Sequence, residues 1–110
     1  WERQKKEFNE TVDFISKSLD GIPYDLSPTL GNLSCYFKVK FPKNKTVFIS
    51  LGYEEVEVAY SDEYKERRQC LYIRIGEYSN DTKTCHSTTK EGFETTFAEY
   101  LLNKNISIEE

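Results

Sequence analysis

Chemistry in this chain would have to be organised around a single imidazole. His86 directly follows Cys85, and Cys35 and Cys70 are the other two thiols. A nucleophile needs an adjacent base that a third group holds in place, and Cys35 with His86 as base is the combination on offer. No second imidazole and no recognisable orienting residue stand beside either. Zinc requires three or four nitrogen and sulfur ligands at short spacing, which one His and three scattered Cys do not supply. The acidic pairs Glu54-Glu55 and Asp62-Glu63 are of the right type for an acid and a base, yet such pairs ordinarily sit solvated on a strand face or loop. There is no glycine-rich phosphate loop or dinucleotide fingerprint. The chain therefore reads as a non-enzyme, with no catalytic residue, no metal ligand and no cofactor.

The asparagines carry a clearer signal. Asn9, Asn32, Asn44, Asn80 and Asn105 each open an Asn-x-Ser/Thr sequon, and the sixth asparagine, Asn103, does not. With this Ser and Thr content chance would put roughly one of the six in a sequon, so five of them point to N-glycosylation and export. The opening Trp1-Glu-Arg-Gln-Lys-Lys reads as a mature terminus left by cleavage of a leader. An oxidising compartment favours pairing two of the three thiols. Cys70 and Cys85 flank a segment that turns back on itself, which makes them the expected disulfide; a loop of that size stabilises by ~3 kcal/mol in the chain-entropy view. Cys35 is then left to a partner cysteine elsewhere, to an intermolecular bond and so a disulfide-linked dimer, or to a buried free thiol.

Composition limits the partners. The 110 residues carry a formal net charge of −4, with acids and bases interspersed. Lys65, Arg67 and Arg68 lie among Asp62, Glu63 and Glu66, so no basic stripe exists to follow phosphates and nucleic acid is excluded as a partner. No apolar run approaches the ~20 residues needed to span a bilayer. Aromatics make up 15 % of the chain, enough for a real core in one domain covering residues 1–110.

The elements that must position these residues follow from periodicity. Trp1, Phe8, Val12, Ile15 and Leu19 fall on one face of a helix ended by Asp20-Gly21; Phe14 lies off that stripe, free to meet a second surface. Residues 22–33 read as an irregular connector. Phe37, Val39 and Phe41 then alternate with polar residues, as a half-buried strand does, and Pro42 to Lys45 is a turn. Val47, Ile49 and Leu51 resume the alternation, Gly52 breaks or bends it, and Val56, Val58 and Tyr60 take it up again. Residues 61–69 read as a charged loop. Leu71, Ile73 and Ile75 form a further strand, and residues 83–89 supply a fifth. Phe93, Phe97, Tyr100 and Leu101 mark a closing helix. The fold class is mainly β or α+β, an antiparallel β-meander between an N-terminal and a C-terminal helix.

Such a sheet has an apolar face to cover. Either the helices cover it, or the sheet curls around a cavity that a ligand fills. In the second case the lining would be Phe37, Val39, Phe41, Val56, Val58, Tyr60 and Ile73, with Glu54 as an inward acid offering a partner to a cation or a donor. Inward parity at Val58 predicts that Val58→Asp unfolds the domain.

The stretch from Val56 to Tyr100 resembles the tick salivary lipocalins, the histamine-binding-like proteins. The residues that carry the likeness are Val58-Ala-Tyr60-Ser61-Asp62, Cys70-Leu-Tyr-Ile-Arg-Ile75, Cys85 and Phe97-Ala-Glu-Tyr100, together with a helix opening at Trp1 and a cysteine, Cys35, on the first clear strand. The resemblance implies a Cys70–Cys85 disulfide, a lipocalin-like and here incomplete barrel, and a secreted scavenger of small host mediators such as biogenic amines or lipids. Cys85-His-Ser-Thr departs from the Glu-Leu-Trp segment that follows the family's cysteine. Ser27-Pro28, Cys35-Tyr-Phe-Lys-Val and the Cys70 to Cys85 spacing are also similar to CUB-like modules, and the element order to cystatin-like inhibitors; both imply a module that sequesters a host protein. The expectation is a secreted, immune-modulating glycoprotein that binds a small amphipathic ligand or, alternatively, a protein partner.

Overall fold

Alternation along a strand marks a core only as far as something dry lies against the sheet, and in this protein that boundary falls half-way along the longest hairpin. A computed structural model describes residues 1–29, 31–79 and 81–108. Among them the chain runs α1 (Glu2–Ser18), β1 (Tyr24–Leu26), β2 (Cys35–Phe41), β3 (Lys45–Ala59), β4 (Lys65–Gly76), β5 (His86–Thr88) and α2 (Phe93–Asn103). The five strands form one antiparallel sheet in the order of the chain. With β1 and β5 at opposite edges the sheet is open, and it does not close into a barrel. The fold is α+β.

Both helices cover the same face. Phe8 and Ile15 of α1, Leu19 that caps it, and Phe93, Phe97, Tyr100 and Leu101 of α2 are buried in one cluster with Phe37 and Val39 of β2, Val47, Ile49 and Leu51 of β3, and Ile73 and Ile75 of β4. Phe14 meets Phe93 edge-on, with ring centroids 6.5 Å apart, and so joins the two helices. Trp1 is left outside this core, 65 % exposed. Gly21 takes φ 81° immediately after α1, a conformation that costs glycine nothing, and lets the chain turn back into β1. That short strand pairs Tyr24 with Val39 and Leu26 with Phe37, inside the segment whose Pro and Gly content predicts a connector.

The β3–β4 register is unbroken from Phe48↔Gly76 to Ala59↔Lys65. Two corrections follow. Residues 65–69 are strand, because each has a partner on β3 to complete its ladder. Gly52 is no break, so parity carries through it: Leu51 faces the helices, and Glu54, Val56 and Val58 lie on the opposite face from Phe37 and Val39. Beyond Leu51 and Ile73 neither β2 nor β5 flanks the hairpin, and among the described residues the helices meet it only at its base, where Tyr53 and Leu71 pack against the core. It projects as a two-stranded ribbon, and the molecule with it measures 55 Å along its longest axis.

The parity makes a sharp test. Val39→Asp buries an unpaired charge at a fully inaccessible position and is expected to abolish cooperative unfolding by circular dichroism. Val58→Asp on the ribbon is expected to stay folded and to cost about 1 kcal/mol or less, the reverse of the outcome the alternation predicts.

Candidate binding surface

The ribbon has two unlike faces. On the side continuous with the helices, charges pair diagonally across the strands: Arg67 reaches Glu55 at 2.8 Å and Lys65 reaches Glu57 at 3.7 Å. The other side carries Val56, Val58, Tyr60 and Tyr64. The Tyr60 and Tyr64 rings lie 5.4 Å apart, the Arg68 guanidinium stands over Tyr60, and Arg68 also donates to the Tyr60 hydroxyl and to Glu66. The hydrogen bonds that Glu66 accepts, from Arg68 foremost and from the Tyr60 hydroxyl at 3.1 Å next, hold its carboxyl below the usual range. The turn is closed by Tyr60 N–H donating to the Tyr64 carbonyl at 2.9 Å and Tyr64 N–H to Ser61 Oγ at 3.0 Å. Val56, Tyr60 and Tyr64 are 36, 52 and 60 % exposed.

At the root of the ribbon the open face covers itself. The Tyr72 ring lies across Gly52, its cross-strand partner, so closely that a Cβ on Gly52 would sit 2.5 Å from the hydroxyl oxygen. Arg74 stacks on Tyr72 at 3.9 Å and donates to Glu54 at 2.5 Å. Tyr36 and Phe48 pack at 5.7 Å beside them, and Ser50 is buried below.

A trough follows the outer edge of β4. Two adjoining hollows of about 500 and 580 Å³ share Glu7, Arg68 and Gln69. Helix α1 forms one wall, where Tyr53 donates to Glu7 Oε1 at 2.6 Å and to the Gln4 carbonyl at 2.9 Å, tying helix to ribbon. Burial, then Glu7, push the Tyr53 hydroxyl far above its ordinary pKa.

These positions redraw the expected lining. Phe37, Val39, Phe41 and Ile73 are packed core, whereas Glu54, Val56 and Tyr60 are exposed and Val58 partly so. The structure does not bring the eight together around a cavity, because the helices already occupy the apolar face. The sulfurs differ from expectation as well. All three are free thiols. The β4–β5 register, extended by one residue, sets Cys85 opposite Gly76, six residues or about 20 Å along the strand from Cys70; no disulfide spans that distance. Cys35 is 6 % exposed and burial pushes its pKa up to about 11, so it offers no surface sulfur for a linked dimer. β3 and β4 lie between Cys35 and His86, which rules out the nucleophile–base pair; His86 stands edge-on to Tyr100 at 5.3 Å instead.

Asn9, Asn32, Asn44 and Asn105 are all exposed, and Asn80 lies outside the described residues. Asn44 and Asn105 adopt φ of 59° and 54°, a left-handed turn conformation that asparagine tolerates. Asn44 tops the β2–β3 turn, and Asn105 lines a hollow with Lys43 and Lys45 at that same end. No asparagine occurs between Asn44 and Asn80, so no glycan-acceptor asparagine lies within the β3–β4 hairpin. The trough and Tyr64 escaped sequence reading, since a cavity made by the early end of β5 leaves no mark in periodicity.

No protein-family model, no curated protein and no solved structure matches this chain.

Two outcomes follow from this geometry. In the reduced folded protein, Cys70 and Cys85 are expected to react readily with a thiol reagent at pH 8. Cys35 should be slower by about 100-fold or more, from its smaller thiolate fraction and its burial. Gly52→Val is expected to displace Tyr72 and to cost about 1–3 kcal/mol in urea unfolding.

Proposed function

We propose that this chain is a secreted glycoprotein that binds a protein partner through the β3–β4 ribbon, and that it catalyses no reaction. The observation that carries this reading is the coincidence of exposure with the distribution of sequons. The hairpin that leaves the core, and that ends in Tyr60 and Tyr64, carries no glycan-acceptor asparagine anywhere along its length. Tyrosine is enriched in the parts of interfaces that carry binding energy, and a glycan there would shield it. Host-protein sequestration, the alternative drawn from the sequence, fits this arrangement better than small-ligand carriage in a lipocalin-like barrel, for which five strands in an open sheet leave no calyx.

Carriage of a small amphipathic ligand keeps one support, since hollows of about 500 and 580 Å³ fall within the size range of ligand pockets. Two measurements separate the readings. Material secreted from cultured cells is expected to lose mass on peptide:N-glycosidase treatment, and native mass spectrometry of the trimmed protein should show no co-purifying small molecule. A photo-crosslinking residue at Tyr64 should give one defined protein adduct in extracellular fluid, absent when Glu63→Asn with Lys65→Thr places a glycan at the tip. A retained small molecule without a tip adduct would move the assignment to a carrier.

A further inference from the structure

β5 covers only the end of β4. Its ladder runs from Ile73↔Thr88 to Ile75↔His86, and the chain leaves the sheet at Thr89 for α2. From Lys65 to Tyr72, β4 has β3 on one side and, among the described residues, no strand on the other. Every second residue of that stretch turns its N–H and C=O into the trough rather than into a ladder. The free edge is about 26 Å long. Such edges are usually covered or very short. This one is lined but not covered, because α1 stands alongside it across the two hollows.

The occupant can be argued from direction, register and charge. A chain entering in line with β5 runs antiparallel to β4 and continues the existing ladder. Its side chains alternate between two environments. One set faces α1, where Glu7 and Glu10 line the trough, with Arg3 and Lys90 also on its rim and with Lys65 and Arg67 on that face already paired to Glu57 and Glu55; the other passes Arg68 and Cys70 on the opposite side. Basic side chains complement the first set. A second copy of this protein is disfavoured. Two-fold antiparallel pairing sets residues of one face opposite each other, so a register that clears β5 centres on Glu66, Arg67 or Arg68. Each choice opposes a charge with its own copy, which is destabilising.

We propose that the free edge of β4 takes an extended segment of the protein partner as a sixth strand, antiparallel to β4, with basic side chains facing Glu7 and Glu10. This assignment rests on the ribbon reading above and adds the mode of binding and the chemistry of the bound segment. Main-chain hydrogen bonds supply affinity, and alternate side chains supply selectivity.

The test uses the purified intact chain and three synthetic octapeptides: alternating Lys and Thr, alternating Glu and Thr, and the Lys–Thr peptide N-methylated at alternate residues. Amide exchange is read by NMR. At ten times its Kd, the Lys–Thr peptide is expected to slow exchange about tenfold at alternate amides between Lys65 and Tyr72. The Glu–Thr and N-methylated peptides should not, and Glu10→Arg should remove the preference for lysine while leaving the unbound spectrum otherwise intact. Protection along Gly52–Ala59 instead, equal protection by the N-methylated peptide, or no protection at all overturns the proposal. Self-association that occupies the same amides also overturns it, by making a second copy the occupant. Capture of a partner at Tyr64 without peptide protection of β4 removes strand addition and leaves the ribbon reading intact. Protection of β4 with no tip adduct retains strand addition and removes the tip from the interface.

Discussion

The architecture depends on how far a limited dry surface can reach. A chain of this length buries a modest fraction of its surface, and here two helices supply the whole cover for one sheet face. Phe8 and Ile15 from one side and Phe93, Phe97 and Tyr100 from the other meet Phe37, Ile49 and Ile73. That cover thins beyond Leu51, where Tyr53 and Leu71 are only partly buried against it. The hairpin continues past it, and what continues must be stable without a core. A lone two-stranded hairpin is marginal in water. This one starts from pairs already fixed by burial, so each further pair adds to an established ladder.

Gly52 sits at the crossing point. Its missing side chain lets Tyr72 lie flat on the open face, and Tyr72 in turn supports Arg74 and, through it, Glu54. Arg74 is the most buried partner of any ion pair in the described residues, with 17 % of its side chain exposed, and it has both a carboxylate and an aromatic face to compensate. This layer closes the root of the ribbon on the side no helix reaches. Tyr53 closes the other side by holding Glu7 and the Gln4 carbonyl. The ribbon is thus anchored on both faces at its base and left bare towards its tip.

How much of this was legible follows from what burial does to a pattern. The stripe of Phe93, Phe97, Tyr100 and Leu101 and the alternations of Phe37 to Phe41 and Val47 to Leu51 read correctly, because each residue on them faces the core. Val56 and Val58 misled because a solvated ribbon also favours β-branched residues, and valine there marks strand propensity, not burial. Reading Gly52 as a break then allowed the parity to be reset. The charged run from Lys65 to Gln69 hid a strand because it shows no apolar alternation: its residues on the helix side pair with Glu57, Glu55 and Ala59 rather than with a core. The cysteine pairing failed on register, which spacing along the chain does not determine. The trough was invisible for a simpler reason: it is defined by where β5 stops.

The charges on the ribbon suit an exposed strand pair that must stay paired with itself in solvent. Exposed ion pairs such as Arg67–Glu55 and Lys65–Glu57 contribute about 0–1 kcal/mol each, so they stabilise the free ribbon weakly. They also deter edge-to-edge association, the usual hazard of unpaired strands. Exchanging such a pair for an intermolecular one costs little, since both states satisfy the charge. An apolar ribbon would bind more surfaces and aggregate; one bearing charges of a single sign would repel its own strands. Mixed charge on one face and tyrosine with valine on the other leave the ribbon with neither a continuous apolar surface nor a field of one sign.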